Sequence, residues 1–259
     1  MINFAIGADP EIFVGDSSGN PKSIIGKIGG SKWSPRPLPI GDGFCVQEDN
    51  VALEFNIPAS RSKAEFVSNI CLATGFLEKE VIDRYNLKFL HTSAISFPQE
   101  EMYDPAAFEF GCDPDYNAWT KAENPRPSAT DPLLRSCGGH VHIGCKNLDV
   151  IQIVKGCDLF LGVPSVLMDK DGGARRVLYG KRGAFRKKPY GVEYRTLSNF
   201  WVFNPDTISW VYDGVSRVLD AVSNKFEFDA EQEAIQEAID NNNSEVALQL
   251  VNKYNITMV

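Results

Sequence analysis

The stretch Gly138-Gly139-His140-Val141-His142-Ile143-Gly144, read together with Gly191-Val192-Glu193-Tyr194-Arg195, decides how this chain folds. Both segments read as short extended stretches in which alternate residues share a face. Successive side chains of a strand point to opposite faces. His140 and His142 therefore point one way while Val141 and Ile143 point the other, and Glu193 and Arg195 share a face in the same manner. Two imidazoles, a carboxylate and a guanidinium on one face of a sheet suit a divalent cation carrying phosphate.

The rest of the chain bounds that reading. With 259 residues, 43% hydrophobic and 23% charged, it has the composition of an ordinary globular protein able to bury a real core. The net charge of −8 argues against nucleic acid as a partner, because a phosphate backbone would be repelled. The segment Met1 to Gly7 lacks a charged region and a long apolar core, so no signal peptide is expected. No stretch is read as approaching the roughly 20 apolar residues that span a bilayer. The six cysteines, Cys45, Cys71, Cys112, Cys137, Cys145 and Cys157, form no C-x-x-C pair, so reduced thiols are expected. These features together predict a cytoplasmic protein with no membrane contact.

Phe4 to Val14 reads as a strand interrupted near Pro10, followed by a Gly/Ser/Pro-rich loop from Asp16 to Gly43. Pro10 has no N–H, which predicts a sheet edge or a bulge there. The segment from Val46 to Ile57 alternates as one strand, with Val51, Leu53, Phe55 and Ile57 on one face and Asn50, Glu54 and Asn56 on the other. Ser62-Lys63-Ala64-Glu65 is a capping box, and the periodic Phe66, Ile70, Ala73, Leu77 and Val81 carry the helix to Tyr85-Asn86. Residues 89–97 return to strand character. Residues 104–131 form a long irregular segment, which points to a functional or packed insertion. A helix over 149–168, broken at Gly162-Val163-Pro164, and another from Asn204-Pro205 follow. Asp229 to Asn241, with an Asp229/Gln232 cap pair, and Ser244 to Tyr254 read as closing helices. No repeat or linker divides the chain, so residues 1–259 are expected to form one domain, with C-terminal helices from about 205.

Other residues can carry chemistry. Asp9 and Glu11 lie on one side of an extended segment, and two such carboxylates repel unless a cation sits between them. Hard oxygen donors suit Mg2+ or Mn2+, although Asp-Pro-Glu alone is more often a turn. Zinc would require three or four N/S ligands, and no second Cys/His cluster joins His140 and His142. Ala174 to Tyr190 holds seven basic residues and no acidic one. It reads as a solvated loop, an RNA-contacting loop or a triphosphate clamp, the last being favoured because the segment runs straight into Glu193 and Arg195.

In this order, these motifs resemble the phage-type carboxylate–amine (COOH–NH2) ligases, type 2, of the glutamine synthetase-like superfamily. The resemblance runs through Gly7 to Glu11, Gln47 to Asn56, Phe110 to Asp115, Gly138 to Gly144, Leu178 to Gly180 and Tyr190 to Trp201, about the first 205 residues. It implies an α+β fold, a curved antiparallel sheet with helices on its convex face, binding ATP with Mg2+ or Mn2+ on the concave one. It implies metal ligation by Glu11, Glu54, His140 and Glu193, with Asp9 in place of a usual glutamate and Glu48 as a further carboxylate. His142 is implied as a phosphate contact and Arg195 as the residue holding the transferring phosphoryl group, with Arg176, Arg182 and Arg186 as further nucleotide contacts.

The implied activity is an ATP-dependent amidoligase that joins a carboxylate substrate to an amine, with a peptide or protein among the candidate substrates, through an acyl phosphate. Glu193, Arg195 and Glu54 would carry the catalysis. A kinase of a guanidino or carboxylate compound on the same fold, or a non-catalytic nucleotide-binding protein, are the alternatives. A bacteriophage origin, and with it the host cytoplasm, is implied by resemblance alone. The substrates and the oligomeric state are not legible in the sequence.

Overall fold

A computed structural model describes residues 3–108, 115–125 and 130–259. Its strands are β1 (Ala5–Gly15), β2 (Pro21–Lys22), β3 (Arg36–Pro37), β4 (Cys45–Asp49), β5 (Ala52–Asn56), β6 (Lys88–Leu90), β7 (Ala94–Ser96), β8 (Tyr116–Asn117), β9 (Leu134–Ser136), β10 (Gly139–Gly144), β11 (Ala184–Lys188) and β12 (Gly191–Tyr194). The main sheet runs β3-β4-β5-β1-β10-β12-β11-β8, with β2 and β6 also pairing with β1, and each pairing is antiparallel. Strands β7 and β9 form a separate pair. The fold is mixed α/β around a large antiparallel sheet.

The period-2 pattern buries one face of this sheet. Ile6, Ile12, Leu53, Phe55, Val141, Ile143, Val192 and Tyr194 face a dry core. The helices α1 (Lys63–Tyr85), α2 (Val150–Cys157), α3 (Val163–Met168), α4 (Gly172–Arg175), α5 (Pro205–Ser223), α6 (Gln232–Asp240) and α7 (Ser244–Lys253) complete the secondary structure. Of these, α1, α2 and α5 bring Phe66, Ile70, Ile153, Val154, Val211 and Val215 to the core. Burying side chains of this size contributes about 1.5–3 kcal/mol each.

Two strand readings are corrected. Pro10 does not lie at a sheet edge, since β1 is flanked by β5 and β10. The ladder to β5 stops at Glu11, and backbone contact on that side resumes where Ile57 N donates to Ala8 O. Pro10, which has no N–H to give, occupies that gap in an otherwise central strand. The segment from Val46 to Ile57 is a hairpin rather than one strand. Asn50 turns the chain at φ +55°, and Asp49 pairs with Ala52, Glu48 with Leu53 and Gln47 with Glu54. The turn reverses the alternation, so Gln47 and Asp49 share the face of Glu54 while Glu48 takes the other.

Helix α1 starts at the capping box: Ser62 accepts from the Glu65 N–H, Glu65 accepts from the Arg61 N–H, and Asn86 ends the helix in the left-handed region. The break expected at Gly162 is a π-helical turn over Asp158–Gly162, through which α2 continues into α3. The whole run, Val150–Met168, is 19 residues with mean hydropathy 1.6, long and apolar enough by those measures to cross a membrane. That corrects the expectation that no such stretch exists; 78% of its apolar window is buried, as in a core helix. Asp229 does not cap α6 but pairs with Lys155. The cysteines Cys45, Cys71, Cys137, Cys145 and Cys157 are unpaired thiols, and Cys112 lies outside the described residues.

Helix and sheet are locked at one buried carboxylate. Asp158, in the π turn, accepts from Trp119 Nε1 at 2.6 Å and from Tyr194 Oη at 2.8 Å. Gly139 sets a second close approach: a Cβ there would fall on the Ser198 carbonyl and the Trp201 indole. Replacing Gly139 by Ala should therefore cost about 1–3 kcal/mol. Ser62→Ala, which removes only the α1 cap, should cost about 1 kcal/mol. Urea unfolding of the two variants beside the parent checks both values and their order.

Candidate active site

The face of the sheet opposite the core carries the polar residues, and strand register decides which of them meet. Asp9 lies opposite His140, Gly7 opposite His142, and Glu11 opposite Glu54. His142 lies opposite Glu193, which in turn lies opposite Arg186. Asp9, Glu11, Asp49, Glu54, His140, His142, Glu193 and Arg186 therefore gather on one face. Gly138 makes room for the His140 ring, which a Cβ at that position would strike.

One set of donor atoms converges among the described residues. Single ligand atoms of Asp9, His142 and Glu193 lie within 4.8 Å of one another. His142 Nε2 stands 3.0 Å from Asp9 Oδ1, and Tyr190 Oη meets the other ring nitrogen, Nδ1. His140 Nδ1 is 3.6 Å from Asp9 Oδ1, 3.9 Å from Glu193 Oε1 and 3.2 Å from Arg195 Nη1. It is thus His142, rather than His140, that completes the triad.

Glu193 is fully buried and surrounded by cations. Arg195 Nη1 pairs with its Oε1, Arg186 Nη1 lies 3.6 Å from the same oxygen, and Lys188 Nζ is 2.7 Å from Oε2. Arg195 also faces Asp115 Oδ2 at 3.5 Å, so the irregular segment after residue 104 reaches the site. Beneath it, Arg175 is buried and donates to the carbonyls of Cys137, Thr196 and Arg195, tying the ends of β10 and β12 together.

Burial and charge set the protonation of this cluster. Burial, with Asp49 adding to it, raises the Glu11 carboxyl to about 7, although Gly138 N–H donates to it at 2.7 Å. Burial, then Asp9, Asp49 and Glu11, push Glu54 well above the usual carboxylate range, and burial also raises Asp49. Asp9 behaves oppositely: burial would raise it, but His142 and His140 together outweigh burial and hold it well below that range. Burial and Asp9 would likewise raise Glu193, but Arg195, His140 and His142 hold it at about 2. Burial, followed by Arg195, lowers the His140 imidazole to about 4, which leaves it neutral and able to ligate. Burial would lower His142 too, yet Asp9 reverses the direction and raises it. Buried carboxylates that raise one another's pKa in this way are arranged for added positive charge. Their oxygen donors, with one or two imidazoles, fit Mg2+ or Mn2+.

Not every expected residue arrives. Glu48 turns to the loop, accepting from Gly26 N and Gly29 N at 2.8 Å each, because the hairpin reverses its face. Arg176 donates to Asn242 Oδ1 at 2.6 Å and to Ser165 Oγ at 3.1 Å, on the helical side. Arg182 lies over Trp119 and reaches Gln236 Oε1 at 2.7 Å and Asp240 Oδ2 at 3.4 Å. Of the four arginines expected at the nucleotide, Arg186 and Arg195 face the site. Sequence reasoning missed Asp49, Lys188, Tyr190 and Arg175. Asp49-Asn50 is a turn signal, and recognising it would have brought Asp49 onto the correct face. The motif Phe110 to Pro114 lies outside the described residues.

Residues 132–258 match the family described as phage phiEco32-like COOH.NH2 ligase-type 2. The match takes in the C-terminal helices, in which no motif was legible, and leaves residues 1–131 outside. No curated protein matches the sequence. Among solved structures, a bifunctional glutathione synthetase from Pasteurella multocida aligns over 98% of this chain and 49% of its own, at 10% identity and a TM-score of 0.44. The chain thus spans about half the length of that protein.

The carboxylate cluster makes a prediction. Glu11 takes up protons on folding, so its stabilising contribution is complete below about 4.5 and is lost as pH rises through about 7. The metal-free protein should therefore lose stability across that window, and Glu11→Gln should flatten the loss. Added Mg2+ should reverse the trend by neutralising the cluster, with protons released on binding. Thermal melts from pH 4 to 8, with and without Mg2+, check this.

Proposed function

We propose that the chain is an ATP-dependent carboxylate–amine ligase working as one glutamine synthetase-like catalytic domain over residues 1–259. The observation that carries this reading is the triad of Asp9, His142 and Glu193 set directly beside Arg195, Arg186 and Lys188. Metal-binding acids next to a cationic fork suit a metal-bound triphosphate rather than a lone metal or a lone anion. Asp9, His142 and Glu193 would hold one divalent cation, with His140 adjoining, and Glu11, Asp49 and Glu54 would hold a second. Such cations offset phosphate charge and polarise the phosphoryl oxygens.

A carboxylate does not condense with an amine unaided, because hydroxide is too poor a leaving group. In the proposed reaction a substrate carboxylate oxygen attacks the γ-phosphorus of ATP, and the bond to the bridging oxygen breaks to leave ADP. The amine nitrogen then attacks the acyl carbon of the acyl phosphate, phosphate leaves, and the nitrogen gives up a proton to form the amide. Arg195, oriented by Glu193 and Asp115, presents a planar guanidinium to the γ-phosphoryl group as charge develops on it. Arg186 and Lys188, which face Glu193, would supply positive charge to the phosphate oxygens of a nucleotide held beside it. The flank beyond Glu11 is lined by the charged and polar Asp49, Arg135, Ser136 and Tyr179 among the apolar Phe13, Val51 and Ala52, a mixed surface that suits a charged acceptor with an apolar stem.

Arg195→Ala and Glu193→Gln should each lower ATP turnover by at least about 100-fold while the circular dichroism spectrum is kept. Arg182→Ala, which loosens the tie to α6, should lower the melting temperature and leave turnover within about twofold. Mass spectrometry of reactions with pooled carboxylates and amines provides the decisive readout. A product equal to two substrates minus water, formed together with ADP, supports the ligase. A stable phosphorylated product would replace it with a kinase.

A further inference from the structure

Beyond His142 the same face of the sheet loses its side chains. Ala5 lies opposite Gly144, and Gly144 lies opposite Gly191, whose other neighbour is Lys188. Gly7 adjoins them, opposite His142. Gly7 and Gly144 adopt no left-handed conformation, so chirality does not require glycine at either position. Packing does not require it either: a Cβ would sit 3.7 Å from its nearest neighbour at Gly7 and 3.5 Å at Gly144, ordinary contact distances. Glycine inside a strand costs stability, and where neither turn nor packing calls for it, it preserves room for a close approach.

That room is an open niche with about 710 Å³ of empty space, floored by Ala5, Gly7, Ala8 and Gly144 and bordered by Asn56 and Tyr190. Its aromatic wall is fixed in place. The Tyr190 hydroxyl meets His142 Nδ1, its ring lies 30° from the imidazole plane with centroids 6.0 Å apart, and 48% of the residue remains exposed. Apart from His142 at its inner end and the Tyr190 phenol, the niche is lined by no ionisable group, whereas the opposite flank of the carboxylate cluster is lined by Glu11, Asp49, Arg135 and Arg175. Ala5 and Gly144 are two residues along their strands from the level of His142, roughly 7 Å.

We propose that this niche is the nucleobase subsite, holding the purine ring of the nucleotide flat over the Gly7/Gly144 floor and against Tyr190. Asn56 offers an amide to the edge of the base. Lys188, at the end of the Ala5–Gly144–Gly191 row with Nζ reaching Glu193, spans from the niche to the phosphates. The flank beyond Glu11 is left for the carboxylate and amine. This assignment rests on the nucleotide reading above and adds to it where the uncharged end of the ligand lies.

The test separates the base from the phosphates. Binding of ATP and of inorganic tripolyphosphate, each with Mg2+, is measured by calorimetry on the full chain, on Gly144→Val and on Tyr190→Ala. The parent should bind ATP more tightly than tripolyphosphate. Gly144→Val fills the floor without touching a charged residue, and should weaken ATP binding by about tenfold or more. Its tripolyphosphate affinity should stay within about twofold, which also shows that the fold and the cation site are intact. Tyr190→Ala, which also removes the hydroxyl that holds His142, should weaken ATP binding as well. ATP affinity unchanged in Gly144→Val, equal losses for both ligands, or equal affinity of the parent for the two would each overturn the nucleobase assignment. Failure of the parent to bind either ligand would instead sink the nucleotide reading itself.

Discussion

Five carboxylates, Asp9, Glu11, Asp49, Glu54 and Glu193, share one face of a sheet whose other face is a dry core. Water cannot reach them freely, so their mutual repulsion is weakly screened, and the protein must answer it locally. It does so in two ways. Glu193 is compensated outright, ringed by Arg195, Arg186 and Lys188. Glu11, Asp49 and Glu54 are left short of positive charge and take up protons, as their raised titration shows. The imbalance runs across the site, with Arg195, Arg186 and Lys188 gathered at Glu193 and Glu11, Asp49 and Glu54 less fully compensated at the other end. A cation with a bound polyanion complements that gradient on both sides.

Holding such a cluster in register takes rigidity, and the surrounding fold supplies it in unobtrusive places. Gly138 and Gly139 let β10 approach the Ser198–Trp201 segment, so that the His140 ring and the Trp201 indole can both be accommodated. Arg175 binds three carbonyls where β10 and β12 meet the loops around them. Asp158, buried in a π turn, fixes Tyr194 from the core side directly beneath Glu193 and Arg195. Each of these groups keeps a neighbour of the site from moving, which is how the two ends of the charge gradient stay apart.

Much of this was legible. The alternation of His140 with Val141, and of Glu193 with Tyr194, specified which side chains share a face, because strand geometry leaves no other choice. The capping box at Ser62 and the proline at the start of α5 gave helix boundaries from local hydrogen bonding alone. The family resemblance holds over residues 132–258, including helices in which no motif was seen. Legibility ended where a local pattern admitted two geometries. The segment from Val46 to Ile57 alternates well enough for one strand, yet Asp49-Asn50 turns it, and that turn exchanged Glu48 for Asp49 on the site face. The basic run from Arg175 to Lys188 looked uniform as a string, but the fold divides it between the helical side and the site.

The sequence by itself determined the alternating faces of β10 and β12, the caps of α1 and α5 and the types of donor available, since each follows from the covalent geometry of a few neighbouring residues. Only the tertiary structure decided which donors converge. It brought Asp9 to His142 across β1 and β10, turned Glu48 away and Asp49 inward, spent Arg176 and Arg182 on α6 and its neighbouring loop, and cleared a floor of small residues beside Tyr190. Those outcomes depend on strand order and register between segments far apart in the chain, and register is fixed by burying one whole face at once rather than by any local run of residues.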